Sequence, residues 1–221
     1  RVVQFHPALS YEDFVRGYRP GGDGRLTLTD GLFLQVVQTA IAQPDVEHVL
    51  IIEEINRGNP AQVLGEMLTL LECSKRSRAE AMELAYSKFR GEKVYVPENL
   101  YVIGTMNTAD RSIALLDTAL RRRFNFREMA PDATLLSEVE GIDLKAVLTT
   151  INQRIEYLIG REYRIGHAFF INCESREQVE DAVRNKVIPL LQEYFFEDWQ
   201  RIAWVLNDQR KAPNDQFIQE R

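Results

Sequence analysis

Three groups of residues in this chain have the types and positions that phosphate chemistry needs. The first is the pair Glu53-Glu54, which directly follows the apolar run Val49-Leu50-Ile51-Ile52. Such a run reads as a strand covered on both faces of a parallel sheet, and open α/β sheets bind ligands beyond the carboxyl ends of their strands. An apolar strand ending in two acids is the Walker B arrangement: the first acid holds Mg2+ through water and the second polarises the attacking water. A strand running out into charged loop residues gives the same pattern. The second is Asn107, just past the apolar segment Leu100–Ile103. An amide there can reach a γ-phosphate or align a lytic water, although Asn is equally a turn residue. The third is Arg121-Arg122-Arg123, at the end of a helical pattern. Guanidinium groups suit the oxygens of a phosphoryl transition state and are often supplied in trans. Cations also favour helix C-termini through the dipole.

The elements that must position these groups alternate between strand and helix. Val2 to Phe5 reads as a short strand ended by His6-Pro7. Ser10 is placed to cap a brief helix through Phe14. Leu26-Thr27-Leu28-Thr29 alternates like a hairpin arm, closed at Asp30-Gly31. Leu32 to Ala42 carries Phe33, Val36, Val37, Ala40 and Ile41 at helical spacing. Asn59-Pro60 starts another helix, with Gln62 at the capping-box position and the stripe Val63, Leu64, Met67, Leu68 and Leu71. Residues 73–92 are basic and irregular, and Val94–Val96 reads as a hairpin strand. A helix carrying Ile113, Leu116, Ala119 and Leu120 follows Asn107, and Phe124–Met129 reads as a further strand. This alternation predicts an α/β domain with a parallel sheet over 1–130. From 131 the periodicity is helical, clearest in Leu144–Ile159 and Glu177–Phe196. That predicts an all-helical subdomain over 131–208 and a polar tail that frays over 209–221.

The 221 residues carry 27 Lys and Arg against 33 Asp and Glu, a net charge of −6. That balance argues against a general nucleic-acid-binding surface here. No run approaches the ~18 apolar residues of a membrane span, and no leader-like segment opens the chain. With two cysteines, Cys73 and Cys173, neither a disulfide framework nor a four-ligand zinc site is expected. The expected location is the cytoplasm. Other chemistry-bearing residues read as structural. His167 is taken as a satisfied histidine, and His6 and His48 only flank strands. Phe195, Phe196, Trp199 and Trp204 read as packing, and Lys75, Arg76 and Arg78 as a solvated loop.

Four segments together resemble the McrB family: Glu53-Glu54-Ile55-Asn56-Arg57, Tyr95-Val96-Pro97-Glu98-Asn99, Met106-Asn107-Thr108-Ala109-Asp110-Arg111-Ser112, and Ala119-Leu120-Arg121-Arg122-Arg123-Phe124. So do Tyr11-Glu12-Asp13-Phe14, Tyr18-Arg19-Pro20, Arg164-Ile165-Gly166-His167 and Glu193-Tyr194-Phe195-Phe196. McrB proteins are AAA+ motor subunits of modification-dependent restriction systems and typically use GTP. The resemblance implies an AAA+ P-loop NTPase-type sheet, of strand order 5-1-4-3-2, followed by a helical lid. It implies Glu54 as the water-activating acid, Glu53 as the Mg2+ acid and Asn107 as sensor 1. Asp110 and Arg111 would organise the signature loop on the nucleotide side. Arg122 and Arg123 would be trans-acting fingers, and Arg164 the sensor 2 of the lid. The implied cofactors are Mg2+ and GTP, with ATP the alternative. The implied partners are further copies of the chain in a hexameric ring and an McrC-type endonuclease. Hydrolysis would drive DNA translocation, and an N-terminal domain outside these residues would read modified cytosine.

Two departures stand out. The family usually has Asp where this chain has Glu53, whose carboxylate sits further out by a methylene, about 1.5 Å. No G-x-x-x-x-G-K-[ST] occurs among the 221 residues, and Gly21-Gly22-Asp23-Gly24-Arg25 has no lysine and precedes a hairpin. By the family's order the P-loop and first strand lie upstream of Arg1. The chain is therefore expected to begin on the second strand and to hydrolyse little or no nucleotide by itself. Two rival readings are an ATP-dependent remodeller of MoxR or dynein-related type and a P-loop-less assembly module that completes a partner's site.

Overall fold

The computed structural model describes residues 1–22, 24–107 and 118–218. Asp110 and Arg111 lie outside them, as do Ile113 and Leu116 of the expected helix. The chain divides into two units, Arg1–Arg127 and Glu128–Arg221. The first runs β1 (Val2–Gln4), α1 (Tyr11–Phe14), β2 (Arg16–Pro20), β3 (Leu26–Asp30), α2 (Leu32–Ala42), β4 (His48–Glu53), α3 (Pro60–Leu64), α4 (Met67–Leu70), β5 (Leu100–Gly104) and α5 (Thr118–Arg121).

Strands β1, β4 and β5 form a parallel sheet in that order, with Val2 opposite Ile51 and Ile51 opposite Ile103. This is the consecutive 2-3-4 part of the order that the resemblance implies. Side chains alternate between the faces of a sheet. Leu50, Ile52 and Leu100 are fully buried on one face, in a core with Phe33, Leu34 and Val37 of α2 and Val63, Leu64 and Met67 of α3 and α4. On the other face Val2, Val49, Tyr101 and Ile103 are 41–59% exposed. The expectation of strands covered on both faces is corrected. A continuous apolar run has no period of its own, and the described helices of this unit cover one side.

Strands β2 and β3 pair antiparallel from Arg16 opposite Asp30 to Pro20 opposite Leu26. The hairpin therefore closes beyond the Pro20–Leu26 pair, not at Asp30-Gly31. Gly31 is instead the N-cap of α2, and a Cβ there would lie 2.5 Å from the Phe14 carbonyl. Arg16, 1% exposed, fastens this hairpin to the irregular segment after α4. Its Nε donates to Asp30 Oδ1 at 2.6 Å, and Nη1 and Nη2 donate to the Glu92 carboxylate at 2.8 and 3.1 Å. Nη1 also donates to the Tyr86 carbonyl at 3.0 Å, and Lys88 Nζ closes on Asp30 at 2.6 Å. Burial by itself would raise the pKa of both acids. Hydrogen bonds from Lys88, Gln38 and Arg16 outweigh it at Asp30, and those from the Lys88 N–H and Arg16 outweigh it at Glu92, so both carboxyls are held below their ordinary range.

Three further expectations change. The stripe from Val63 to Leu71 is not one helix, because Gly65 at φ +52° separates α3 from α4. A Cβ at Gly65 would meet the Tyr11 ring at 2.8 Å, and the Tyr11 hydroxyl donates to the adjacent Glu66 at 2.7 Å. Val94–Val96 makes a single antiparallel bridge, Met82 to Val94, and no strand. Phe124–Met129 also forms no strand, and Arg121 lies over the Phe126 ring at 5.6 Å.

The second unit runs β6 (Glu138–Val139), β7 (Ile142–Asp143), α6 (Leu144–Ile159), α7 (Arg176–Ala182), α8 (Ile188–Phe195) and α9 (Trp199–Val205). It is helical apart from the short hairpin β6–β7, turned by Glu140 and Gly141 at φ +47° and +79°. Two positive-φ residues in a two-residue loop match the right-handed twist of paired strands. A π-helical turn, Val183–Val187, joins α7 to α8. Asn152 of α6 exchanges two hydrogen bonds with the Ile165 backbone, at 2.9 and 2.7 Å. The tail does not fray through residue 218. Buried Asp208 accepts from Lys211 Nζ at 2.7 Å and from the Ile218 N–H at 2.8 Å. His167 Nδ1 accepts from the Asp132 N–H at 3.1 Å, a satisfied histidine as read. Phe195 is core, whereas Phe196, Trp199 and Trp204 are exposed.

Candidate functional site

Glu53 ends β4 and Glu54 begins the turn after it. Glu54 adopts φ +52°, a left-handed conformation that costs a residue other than glycine about 1–3 kcal/mol and collects at functional positions. The turn re-aims the chain so that Arg57 returns to Glu54. The Arg57 N–H donates to the Glu54 carbonyl at 2.8 Å, and Arg57 Nε to Glu54 Oε2 at 3.2 Å. The Glu53 carboxylate is exposed and has no ion-pair partner among the described residues. Two carboxylates at a strand end are hard oxygen donors of the type Mg2+ takes, although no group of three or more His, Cys, Asp or Glu side chains gathers among the described residues.

The register of β4 and β5 carries Asn107 to the same end of the sheet. Beyond the strands, the Thr105 N–H donates to the Ile52 carbonyl and the Ile55 N–H to the Thr105 carbonyl, both at 2.9 Å. The Glu54 N–H donates to Thr105 Oγ1 at 3.4 Å. Asn56 then links the two loops, its Nδ2 donating to the Asn107 carbonyl at 3.2 Å. Asn56 is 8% exposed, and its Oδ1 is buried with no partner among the described residues. An acceptor left unmet in this way costs about 1–3 kcal/mol. Sequence reading singled out Glu53, Glu54 and Asn107 and passed over Asn56. Its place inside the segment Glu53–Arg57 was the only signal.

The arginines separate. Arg122 is exposed and makes no ion pair with described residues. The Arg123 side chain is 16% exposed and its guanidinium meets Glu72 at 2.7 Å. In the second unit Arg164 pairs with Glu128 at 2.9 Å and Glu156 at 3.7 Å and donates to the Arg161 carbonyl at 3.0 Å. Glu128 also takes Arg161. The expected solvated loop is half right. Lys75 pairs at the surface with Glu80, but Arg76 turns inward and donates to the Leu71 and Leu100 carbonyls at 3.1 and 2.5 Å. Burial pulls the Arg76 pKa down. Asn99, in the segment Tyr95–Asn99, points its Nδ2 at the carbonyls of Ala40, Gln43 and Val46, at 2.8–3.0 Å. It ties the end of α2 to the start of β5.

A parallel sheet with acids and an amide at its carboxyl end, followed by a helical unit, defines a class of nucleotide-handling domain. Residues 1–124 match the family model of the AAA domain (dynein-related subfamily), and the chain belongs to that family. Its second unit is of the McrB kind, since residues 143–203 match the McrB alpha-helical lid domain. The chain is 40% identical over 219 residues to the Type IV methyl-directed restriction enzyme EcoKMcrB subunit of Escherichia coli K12, an alignment covering 89% of this chain and 47% of that protein. It is 26% identical over 240 residues to the Type II restriction enzyme BsuMI component YdiS of Bacillus subtilis 168, covering 88% and 69%. The chain thus spans about half the length of the E. coli relative.

Proposed function

We propose that this chain is the Walker B, sensor 1 and lid portion of an McrB-like motor that hydrolyses GTP, with ATP the alternative, in the restriction of DNA carrying modified cytosine. The observation that carries the reading is the convergence of Glu53, Glu54 and Asn107 on adjoining ends of neighbouring parallel strands. The restriction enzymes with which the chain shares most of its length support the system.

In this reading Glu53 holds Mg2+, which when bound supplies charge neutralisation at the phosphates. Glu54 orients and polarises the attacking water, held in place by its turn and by Arg57. Asn107 aligns the same water or a phosphate oxygen. Arg122 and Arg123 reach the nucleotide of a neighbouring copy in a hexameric ring, Arg123 by exchanging its bond to Glu72 for one to phosphate. Arg164 acts from the lid, with Asp110 and Arg111 beside the sensor loop. The motor translocates DNA, works with an McrC-type endonuclease and acts in the cytoplasm. Among the described residues no helix is long and apolar enough to cross a membrane.

The test is GTP and ATP hydrolysis by the full-length protein, with and without an McrC-type endonuclease, for wild type and Glu54→Gln. The reading expects GTP turnover stimulated by the partner and lowered at least 100-fold in Glu54→Gln, with nucleotide binding retained. Turnover unaffected by Glu54→Gln overturns the assignment, and turnover of ATP alone favours the remodeller.

A further inference from the structure

We propose that Asn56 is a positioning residue, fastening the sensor loop to the acidic turn and so setting the reach between Glu54 and Asn107. The proposal rests on the roles given to those two residues above.

The β4–β5 ladder continues past the strands only as far as Ile55 and Thr105. The Ile55 side chain is packed so closely on Gly104 that a Cβ there would lie 3.1 Å from Ile55 Cδ1, which holds this last step tightly. Past it, among the described residues, the Asn56 Nδ2 bond to the Asn107 carbonyl links the two segments. That link joins residues 51 positions apart, and one end of it is the sensor residue itself. The amide orientation follows from the network, because the reversed amide would set Asn56 Oδ1 against the Asn107 carbonyl oxygen.

The second observation is the other half of the same amide. Oδ1 is buried and accepts no hydrogen bond among the described residues. Buried orphans of this kind are few in native structures and ask for a reason. Misplacement of a catalytic group by about 1 Å costs on the order of 100-fold in rate, so such a brace acts on turnover more than on nucleotide affinity.

The experiment compares Asn56→Ala, Asn56→Asp and Asn56→Gln with wild type and Glu54→Gln, all in the full-length protein. It reads steady-state GTP hydrolysis, titration with a fluorescent guanine nucleotide and thermal unfolding. Asn56→Asp matters most, because it keeps the shape but turns an oxygen toward the Asn107 carbonyl. The expected result is a 10- to 100-fold fall in kcat for Ala and Asp, nucleotide affinity within about threefold, and partial recovery in Gln. Unchanged kcat in both Ala and Asp overturns the proposal. So does a fall in kcat matched by equal losses of folded protein or of nucleotide binding, which would make Asn56 structural only. Normal turnover in Glu54→Gln overturns the assignment of Glu54 itself. Dependence on Glu54 with indifference at Asn56 overturns this proposal alone.

Discussion

Around Arg16 the charged groups face one another, and the guanidinium makes four hydrogen bonds, to Asp30, to both oxygens of Glu92 and to the Tyr86 carbonyl. At the ends of β4 and β5 the pairing is sparser, with Arg57 on Glu54 and Asn56 on the Asn107 carbonyl. Among the described residues Glu53 has no ion-pair partner, Glu54 sits in a left-handed turn, and Asn56 keeps a buried acceptor unmet. Both regions lie in one unit and draw on the same residue types. The first uses charge to fasten a hairpin to an irregular segment, so each charged group there meets an opposite charge. The second leaves hydrogen-bonding capacity unspent, as a site must if a ligand is to supply the remainder.

Breaking the centre of the closed cluster gives the largest expected effect. Arg16→Met leaves Asp30 and Glu92 buried without their shared cation and should lower stability by about 3–5 kcal/mol in chemical denaturation. Nucleotide affinity of the folded fraction should not move. A cost below about 1 kcal/mol would erase the distinction between the two regions.

Acidification is the next test. Asp30 and Glu92 have folded-state pKa values below those of the unfolded chain. Their stabilisation is therefore complete above the unfolded carboxylate range, about 4, and is lost as pH falls through the lowered folded values. The unfolding midpoint measured from neutral pH downward should drop in that acid window. The drop should be shallower in an Asp30→Asn, Glu92→Gln double variant. Equal slopes would show that these acids do not carry the linkage.

The smallest effect is expected at the rim. The Lys88 side chain is 44% exposed where it meets Asp30, so Lys88→Ala should cost no more than about 1 kcal/mol in the same denaturation measurement. A cost equal to that of Arg16→Met would make the cluster one indivisible network.

Much of the first unit was legible because its signals are local. Leu32–Ala42 forms a helix at the residues its spacing marks, and Ser10 and Asn59 make the cap bonds their types predict. Glu53, Glu54 and Asn107 were readable as strand-end residues for the same reason. Gly65 was not. Its break in the helical stripe depends on the Tyr11 ring, 54 positions earlier in the chain. Arg123 and Arg76 looked like members of basic runs, and only their neighbours Glu72, Leu71 and Leu100 turn them inward. Asp208 was only the last residue of the expected helical subdomain until Lys211 and Ile218 closed on it.

The sequence by itself determined the places of β1, α1, α2, β4, β5 and α6, the change of class near residue 130, and which acids and amide stand at the ends of β4 and β5. Those properties follow from side-chain type and short-range periodicity. Tertiary structure decided which face of the sheet is covered, which arginines stay at the surface, and that Asn56 joins the acidic turn to Asn107. Each of these depends on groups that are distant in the chain and adjacent in space, and no local pattern encodes that adjacency.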